Sequence, residues 1–148
     1  MSDRAPDHPE RDTPVLLDTH AWVWLLEGRE GLAVDALELA EGAAEDSRLW
    51  VSAISLWEIS MLEARGRLRF DTDCLGWIDS ALGAPGTGLM PLTPTICMRS
   101  ANLPGEFHGD PADRIIVATA RELGATLVTR DRSILGYAAA GHLRAMEV

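Results

Sequence analysis

Residues 15–28 read VLLDTHAWVWLLEG, and this stretch predicts the first two elements of the fold. The continuous apolar run Val15-Leu16-Leu17 predicts a buried strand. The pattern turns helical from His20 to Leu26, and Gly28 predicts the end of that helix. A buried strand followed directly by a helix begins an α/β unit, with the acid Asp18 at the junction.

The same alternation continues along the chain. The interval 111–123 is the clearest helix, because Asp110 suits its N-cap, Pro111 its first position and Gly124 the position past its end. The other predicted helices are 33–45, 54–65, 73–82, 93–101 and 133–140, the other strands are 49–52, 89–92, 127–128 and 143–148, and 83–88 is predicted to be a loop. The alternation predicts an α/β fold of three layers, in which helices flank a mostly parallel central sheet.

The length of 148 residues suits one domain, predicted to span residues 14–148. Residues 1–13 are polar and rich in proline, which predicts a flexible leader rather than a secretory signal. No stretch approaches the roughly 18 apolar residues of a membrane span. Cys74 and Cys97 lie in apolar contexts without metal-ligand spacing, so they are predicted to be reduced core thiols of a cytoplasmic protein.

The net charge of −10 argues against a protein that holds nucleic acid by bulk electrostatics. It does not exclude a nuclease, because acids that hold metal ions count as negative in the sequence although the bound ion reverses the local sign. All 13 basic residues are arginine. Arginine suits bidentate phosphate contacts, although a GC-rich genome produces the same bias.

Four acids occupy corresponding places in the predicted pattern. Asp18 ends the first strand, and Asp131 directly follows the fourth. Glu58 lies in the first turns of the helix after the second strand, and Asp113 in the first turn of the helix over 111–123. Open parallel sheets bind ligands outside the carboxyl ends of their strands. If the first, second and fourth strands are neighbours, these carboxylates converge on one pocket.

Helix capping offers another interpretation of each acid. Asp18 and Asp131 suit N-caps, and the segments 55–58 and 110–113 suit capping boxes. Capping does not explain why Asp18 and Asp113 lie in apolar surroundings, where an unpaired carboxylate is costly. A divalent ion removes that cost. Oxygen ligands without a Cys or His cluster favour Mg²⁺ or Mn²⁺ over zinc, and these ions suit phosphodiester hydrolysis.

Four segments of the chain resemble, in order, the signature segments of VapC-type PIN domains, the toxin half of bacterial VapBC toxin–antitoxin pairs. They are LLDTHAWVW, VSAISLWEIS, HGDPADRIIVATA and LVTRD, which together extend over residues 16–131. The resemblance implies a PIN fold and metal-dependent endoribonuclease activity that leaves 5′-phosphate and 3′-hydroxyl ends. It also implies inhibition by a cognate VapB-like antitoxin.

The resemblance also implies roles for individual residues. Asp18, Glu58 and Asp113 correspond to the metal-binding acids, with Asp131 as the fourth acid. Thr129 and Ser52 are expected to orient these acids or a metal-bound water. Asp110 is expected mainly to cap a helix, with a smaller role in the site. Arg65, Arg67 and Arg69 resemble the family's basic stretch after the second segment, and they either bind RNA phosphate or form a solvated helix end. From their position beside the acids, Arg114 and Arg130 either contact the scissile phosphate or pair with carboxylates.

Other functions compete with this interpretation. Haloacid-dehalogenase-like phosphatases and receiver domains also place an Asp after the first strand, but both depend on a lysine, and this chain has none. The phosphatases also need an Asp where this sequence has His20. A PIN nuclease outside toxin–antitoxin biology and a catalytically silent PIN-like binding module both remain open.

Apolar residues on the early helices exceed what one small core needs. Some of them are therefore predicted to form a homodimer face or an antitoxin groove. The candidates are Trp22, Trp24, Leu25, Trp57 and Met61.

Overall fold

The computed structural model describes residues 13–148, so the predicted leader, apart from Thr13, lies outside the described residues. The strands are β1 (Val15–Leu17), β2 (Leu49–Ser52), β3 (Thr87–Met90), β4 (Thr126–Thr129) and β5 (Arg144–Glu147). The helices are α1 (Thr19–Leu26), α2 (Val34–Glu45), α3 (Ala53–Ala64), α4 (Cys74–Leu82), α5 (Pro94–Ala101), α6 (Pro111–Leu123) and α7 (Arg132–Ala139). None of these helices combines the length and apolar character needed to cross a bilayer.

The five strands form one sheet in the order β3-β2-β1-β4-β5, and every neighbouring pair is parallel. The sequence predicted a mostly parallel sheet, and the described sheet is entirely so. Strand β1 lies at the centre, with Leu16 opposite Trp50 of β2 and Leu127 of β4. Helices cover both faces of this strand, which explains why its apolar run is continuous rather than alternating.

Strand β3 differs from the sequence prediction, which gave a loop over 83–88 and a strand over 89–92. The strand begins and ends two residues earlier, because Pro91 has no N–H for the ladder and cannot extend it. Gly86, at φ +80°, brings the chain across the end of α2 into the sheet. A Cβ there would lie 1.8 Å from the carbonyl oxygen of Ala44, so only glycine fits.

Two apolar clusters, one on each face of the sheet, confirm the predicted three layers. Helices α1, α2 and α4 pack on the face that carries Leu17 and Val51, while α6 and α7 pack on the face that carries Leu16. Trp22 is only 1% exposed and belongs to the first cluster, so it is not part of a partner surface. Trp57, by contrast, is 54% exposed.

The cysteines differ in part from the prediction of two core thiols. Both are free, and Cys74 is half-buried against the first apolar cluster. Cys97 is exposed, because α5 buries Ile96 and turns the next position to solvent.

Candidate active site

The centre of the sheet creates the site. The chain runs from β1 outward to β2 and β3 on one side, then returns to place β4 and β5 on the other. A parallel sheet opens a ligand crevice where its strand order reverses in this way, outside the carboxyl ends of the strands. A cavity of about 440 Å³ lies there. It is lined by five acids, which are Asp18, Glu58, Asp110, Asp113 and Asp131.

Asp18 is the most deeply buried of these acids, with 8% exposed. It caps α1, because its Oδ1 accepts from the backbone N–H of Ala21 at 2.8 Å. Its Oδ2 accepts from the hydroxyl of Thr129, whose oxygen also accepts from the backbone N–H of Asp131 at 3.0 Å. Burial raises the pKa of Asp18, against the opposing effect of these hydrogen bonds. Thr129 thus contacts the carboxylate of Asp18 and the backbone of Asp131.

Glu58 is held by a pair of hydroxyl groups that the sequence prediction missed. Its Oε1 accepts from Thr19 Oγ1 at 2.5 Å, and Thr19 Oγ1 lies 2.9 Å from Ser55 Oγ. The positions of these residues could have indicated the contacts, because Thr19 directly follows Asp18 and Ser55 lies one helical turn before Glu58. Burial raises the pKa of Glu58, and the charge of Asp110 adds to the rise.

Among residues 13–148, Ser52 forms no hydrogen bond to an acid, and its expected role toward a metal-bound water stays a prediction. It is the N-cap of α3, and its hydroxyl accepts from the backbone N–H of Ile54 at 3.1 Å. Ser55 lies inside the helix and therefore does not begin a capping box, so the carboxylate of Glu58 is free of the helix end and faces the cavity.

Asp113 shows how crowded the negative charge is. Burial, followed by the charges of Asp110, Asp131 and Glu58, raises its pKa to about 7. Its backbone N–H donates to Oδ1 of Asp110 at 2.8 Å, so Asp110 caps α6 as predicted. Burial and the neighbouring carboxylates together therefore disfavour ionisation of Asp113 below neutral pH.

Capping and cavity lining turn out to be properties of the same residues. Asp18, Asp110 and Asp131 cap α1, α6 and α7 respectively, and all three line the cavity. Helices α1 and α7 directly follow β1 and β4, so they begin at the carboxyl ends of these strands, while α6 follows α5, leads into β4 and begins at the same edge, where Asp110 lines the cavity. The helix N-termini therefore face the place where ligands bind, and their dipoles favour negative groups there.

The donor chemistry of the cavity fits a hard divalent cation, since every acid offers carboxylate oxygens. Within residues 13–148, no three acidic, histidine or cysteine side chains stand close enough around one point to hold an ion. Protein donors instead occupy oxygens of Asp18 and Glu58. Turning these carboxylates toward a shared ion would also relieve the repulsion that raises the pKa of Asp113.

The arginines predicted to contact RNA divide into three groups. Arg130 lines the cavity, and its Nε donates to the carbonyl of Val148 at 2.8 Å. Arg114 lies outside the lining and pairs with no acid of residues 13–148; its guanidinium donates to the carbonyls of Ser100 and Phe107, both at 2.9 Å. The third group lies exposed beyond the cavity lining, at the end of α3 and just after it, and consists of Arg65, Arg67 and Arg69.

The family model of the PIN domain matches residues 15–140. This chain belongs to the PIN-domain family. The PIN domain is 37% identical over 125 residues to Ribonuclease VapC22 of Mycobacterium tuberculosis (strain ATCC 25618 / H37Rv), covering 84% of this chain and 92% of the relative. The resemblance to VapC-type PIN domains seen in the four sequence segments is thereby confirmed.

Solved structures show the same fold. The crystal structure of DNA-bound VapBC from Salmonella typhimurium matches this PIN domain with a TM-score of 0.65 at 15% identity, over 91% of this chain and 98% of the other. VapBC2 from Rickettsia felis, bound to a fragment of promoter DNA, matches with a TM-score of 0.65 at 18% identity and the same coverage. The three-layer arrangement around a parallel sheet is therefore the PIN fold expected from the sequence.

Proposed function

We propose that this PIN domain is a Mg²⁺- or Mn²⁺-dependent endoribonuclease that acts as the toxin of a type II toxin–antitoxin pair. The observation that carries the proposal is the convergence of five acids on one cavity at the carboxyl edge of the sheet. The 37% identity to a ribonuclease supports RNA as the substrate. The acids proposed to hold the ion are Asp18, Glu58, Asp113 and Asp131.

A bound divalent ion supplies an activated water and neutralises the phosphate during hydrolysis. The chain's own residues prepare the site. Thr129 fixes the direction of Asp18, and Thr19 fixes that of Glu58.

The proposed partner is a cognate VapB-like antitoxin, since structural neighbours of this chain are toxin–antitoxin complexes. A homodimer is also proposed, because exposed apolar side chains such as Trp57 and Leu75 are available for an interface. A cytoplasmic location is proposed as well, which the two free cysteines of the described chain support.

Purified protein without antitoxin is expected to cleave RNA when Mg²⁺ or Mn²⁺ is added and to stop in EDTA. The expected products carry 5′-phosphate and 3′-hydroxyl ends, because an activated water, rather than the 2′-hydroxyl, attacks the phosphate. The measurement is cleavage of a panel of tRNA, rRNA and mRNA with sequencing of the ends. A 2′,3′-cyclic phosphate product would contradict the mechanism, and intact RNA at every ion concentration would favour a silent binding module.

Expression of the chain alone is expected to slow growth of a bacterial host, and expression of an Asp113→Asn variant is not. The reason is that cleavage of cellular RNA requires the assembled acid site. Growth curves with matched expression levels, checked by immunoblot, measure the effect. Equal growth with both chains, despite RNA cleavage by the purified wild type, would favour a PIN nuclease outside toxin–antitoxin biology.

A further inference from the structure

Two arginines converge on one tryptophan at the side of the acid cavity. The guanidinium carbon of Arg29 lies 4.5 Å from the centroid of the Trp24 ring, and that of Arg130 lies 4.8 Å from it. Both distances are within the range of a cation–π contact. Trp24 and Arg130 also line the cavity itself, together with Asp18 and Asp131.

Backbone contacts hold both arginines in place. Helix α1 ends beside Gly28, whose φ of +65° reverses the chain, and the N–H of Arg29 then donates to the carbonyl of Trp24 at 3.0 Å. This turn brings Arg29 back over the last turn of the helix. Arg130 is anchored through its Nε to the carbonyl of Val148 at 2.8 Å, and this bond leaves its terminal nitrogens free to contact a ligand.

No carboxylate of the described chain neutralises the charge of either arginine. Although the protein carries a net charge of −10, neither Arg29 nor Arg130 forms an ion pair with a carboxylate of residues 13–148. Two cations held against one ring repel each other, and an anion bound beside them lowers that repulsion. The planar fork of a guanidinium group matches the oxygens of a phosphate.

We propose that Arg29 and Arg130 form a clamp, seated on Trp24, that binds the RNA phosphate next to the scissile one. The proposal rests on the proposed ribonuclease function, in which the acids act at the scissile phosphate. Trp24 is a positioning residue, because it orients both guanidinium planes without contacting the reacting atoms. In this arrangement the arginine side of the cavity binds the strand, and the acid side cleaves it.

The test measures RNA binding and cleavage separately. Dissociation constants are measured with a fluorescent single-stranded RNA oligonucleotide in Mg²⁺, over a series of NaCl concentrations. Every protein in this series also carries Asp113→Asn, which prevents cleavage of the RNA. Arg29→Gln and Arg130→Gln are each expected to weaken binding about tenfold, the size of one charge-assisted hydrogen bond. Each is also expected to reduce the slope of log affinity against log salt by about 0.7, the value for one phosphate contact on a single strand.

Control variants separate the clamp from general charge and from folding. Arg144→Gln removes an exposed arginine at the amino end of β5, at the opposite edge of the sheet, and is expected to leave affinity and salt slope unchanged. Trp24→Phe keeps an aromatic face and is expected to bind nearly as the parent does, whereas Trp24→Leu is expected to bind as weakly as the arginine variants. Melting temperatures establish that each variant is folded.

Cleavage kinetics in the otherwise unaltered protein complete the test. The arginine variants are expected to raise KM while kcat stays close to the wild-type value, because the clamp contributes binding that is equal in the ground and transition states. Unchanged affinity in Arg29→Gln, an equal loss in Arg144→Gln, or a loss confined to kcat would each overturn the clamp while leaving the ribonuclease intact. A wild-type protein that neither binds nor cleaves RNA would overturn the proposed function and the clamp together.

Discussion

RNA cleavage by the Asp113→Asn variant is expected to fall by more than about 100-fold, because even groups that only support a metal ligand contribute 10- to 100-fold. Asparagine keeps the shape of the side chain but removes the charge that a divalent ion requires. Initial rates of oligonucleotide cleavage in saturating Mg²⁺ or Mn²⁺ measure the effect. Asp18→Asn is expected to cause a loss of the same order, since Asp18 lies at the buried end of the same cavity.

The matched control is Asp73→Asn. Asp73 caps α4 through a hydrogen bond from the Gly76 N–H at 2.6 Å, but it is exposed and lies outside the cavity lining. This variant is expected to cleave RNA at the wild-type rate. Wild-type activity in both Asp113→Asn and Asp18→Asn would show that cleavage does not need these carboxylates, and the site assignment would be wrong.

In EDTA, the Asp113→Asn variant is expected to be more stable than the wild type at pH 8 by about 4 °C or more in melting temperature. The pKa of Asp113 is raised to about 7 in the folded state from the ordinary value of 3.8, so the folded state binds more protons than the unfolded state between these values. The wild type is therefore most stable at the acidic end and loses stability as pH rises toward about 7. Asparagine imitates the protonated form and avoids this loss.

The size of the effect follows from the size of the shift. We keep one third of the free energy that corresponds to this pKa shift, because solvent screens the charge of a partly exposed group. That third is about 1.4 kcal/mol, which moves the melting temperature of a domain of this length by roughly 4 °C or more. The difference should narrow as the pH falls from 8 toward 5, and it vanishes only below the ordinary value of 3.8, where Asp113 is protonated in the unfolded wild type as well. Thermal unfolding by circular dichroism from pH 5 to pH 8, with Asp73→Asn as the control, measures the difference.

Added Mn²⁺ makes the same experiment diagnostic of ion binding. An ion that binds only the folded site raises stability by mass action, by about 2.7 kcal/mol at 100 times its dissociation constant. The wild type is expected to gain in this way, and Asp113→Asn to gain much less. A variant that is less stable than the wild type at pH 8 in EDTA would mean that the Asp113 carboxylate stabilises the fold, contrary to the repulsion inferred here.

Much of the fold was predictable from the sequence because local signals agreed with the tertiary arrangement. The run 15–17, the proline and glycine that bound α6 and the acids at strand ends each identify an element or its end without reference to distant residues. Strand β3 was placed two residues late because its start is defined by pairing with β2 and by the close approach of Gly86 to α2. Such contacts depend on residues that are distant in the chain.

The site was predictable to the extent that it follows from topology. Once β1 lies between β2 and β4, the acids after these strands must share an edge. The groups that hold the acids were harder to predict from the sequence. Ser52 and Ser55 differ only in whether they lie at the cap or inside the first turn of α3, and sequence alone does not distinguish the two. The contact between Arg29 and Trp24 needs the reversal at Gly28, which no periodic pattern reveals.

The double use of three acids as helix caps and cavity lining restricts how such a protein can lose its activity during evolution. Replacing a capping aspartate by alanine costs about 1 kcal/mol at a helix start, whereas asparagine caps equally well. At Asp18, Asp110 and Asp131, asparagine therefore removes the charge while it preserves the start of the helix. At these three positions, a lineage that drifts toward an inert toxin meets the least structural resistance through asparagine, and a folded but harmless descendant would still present the surface that its antitoxin binds.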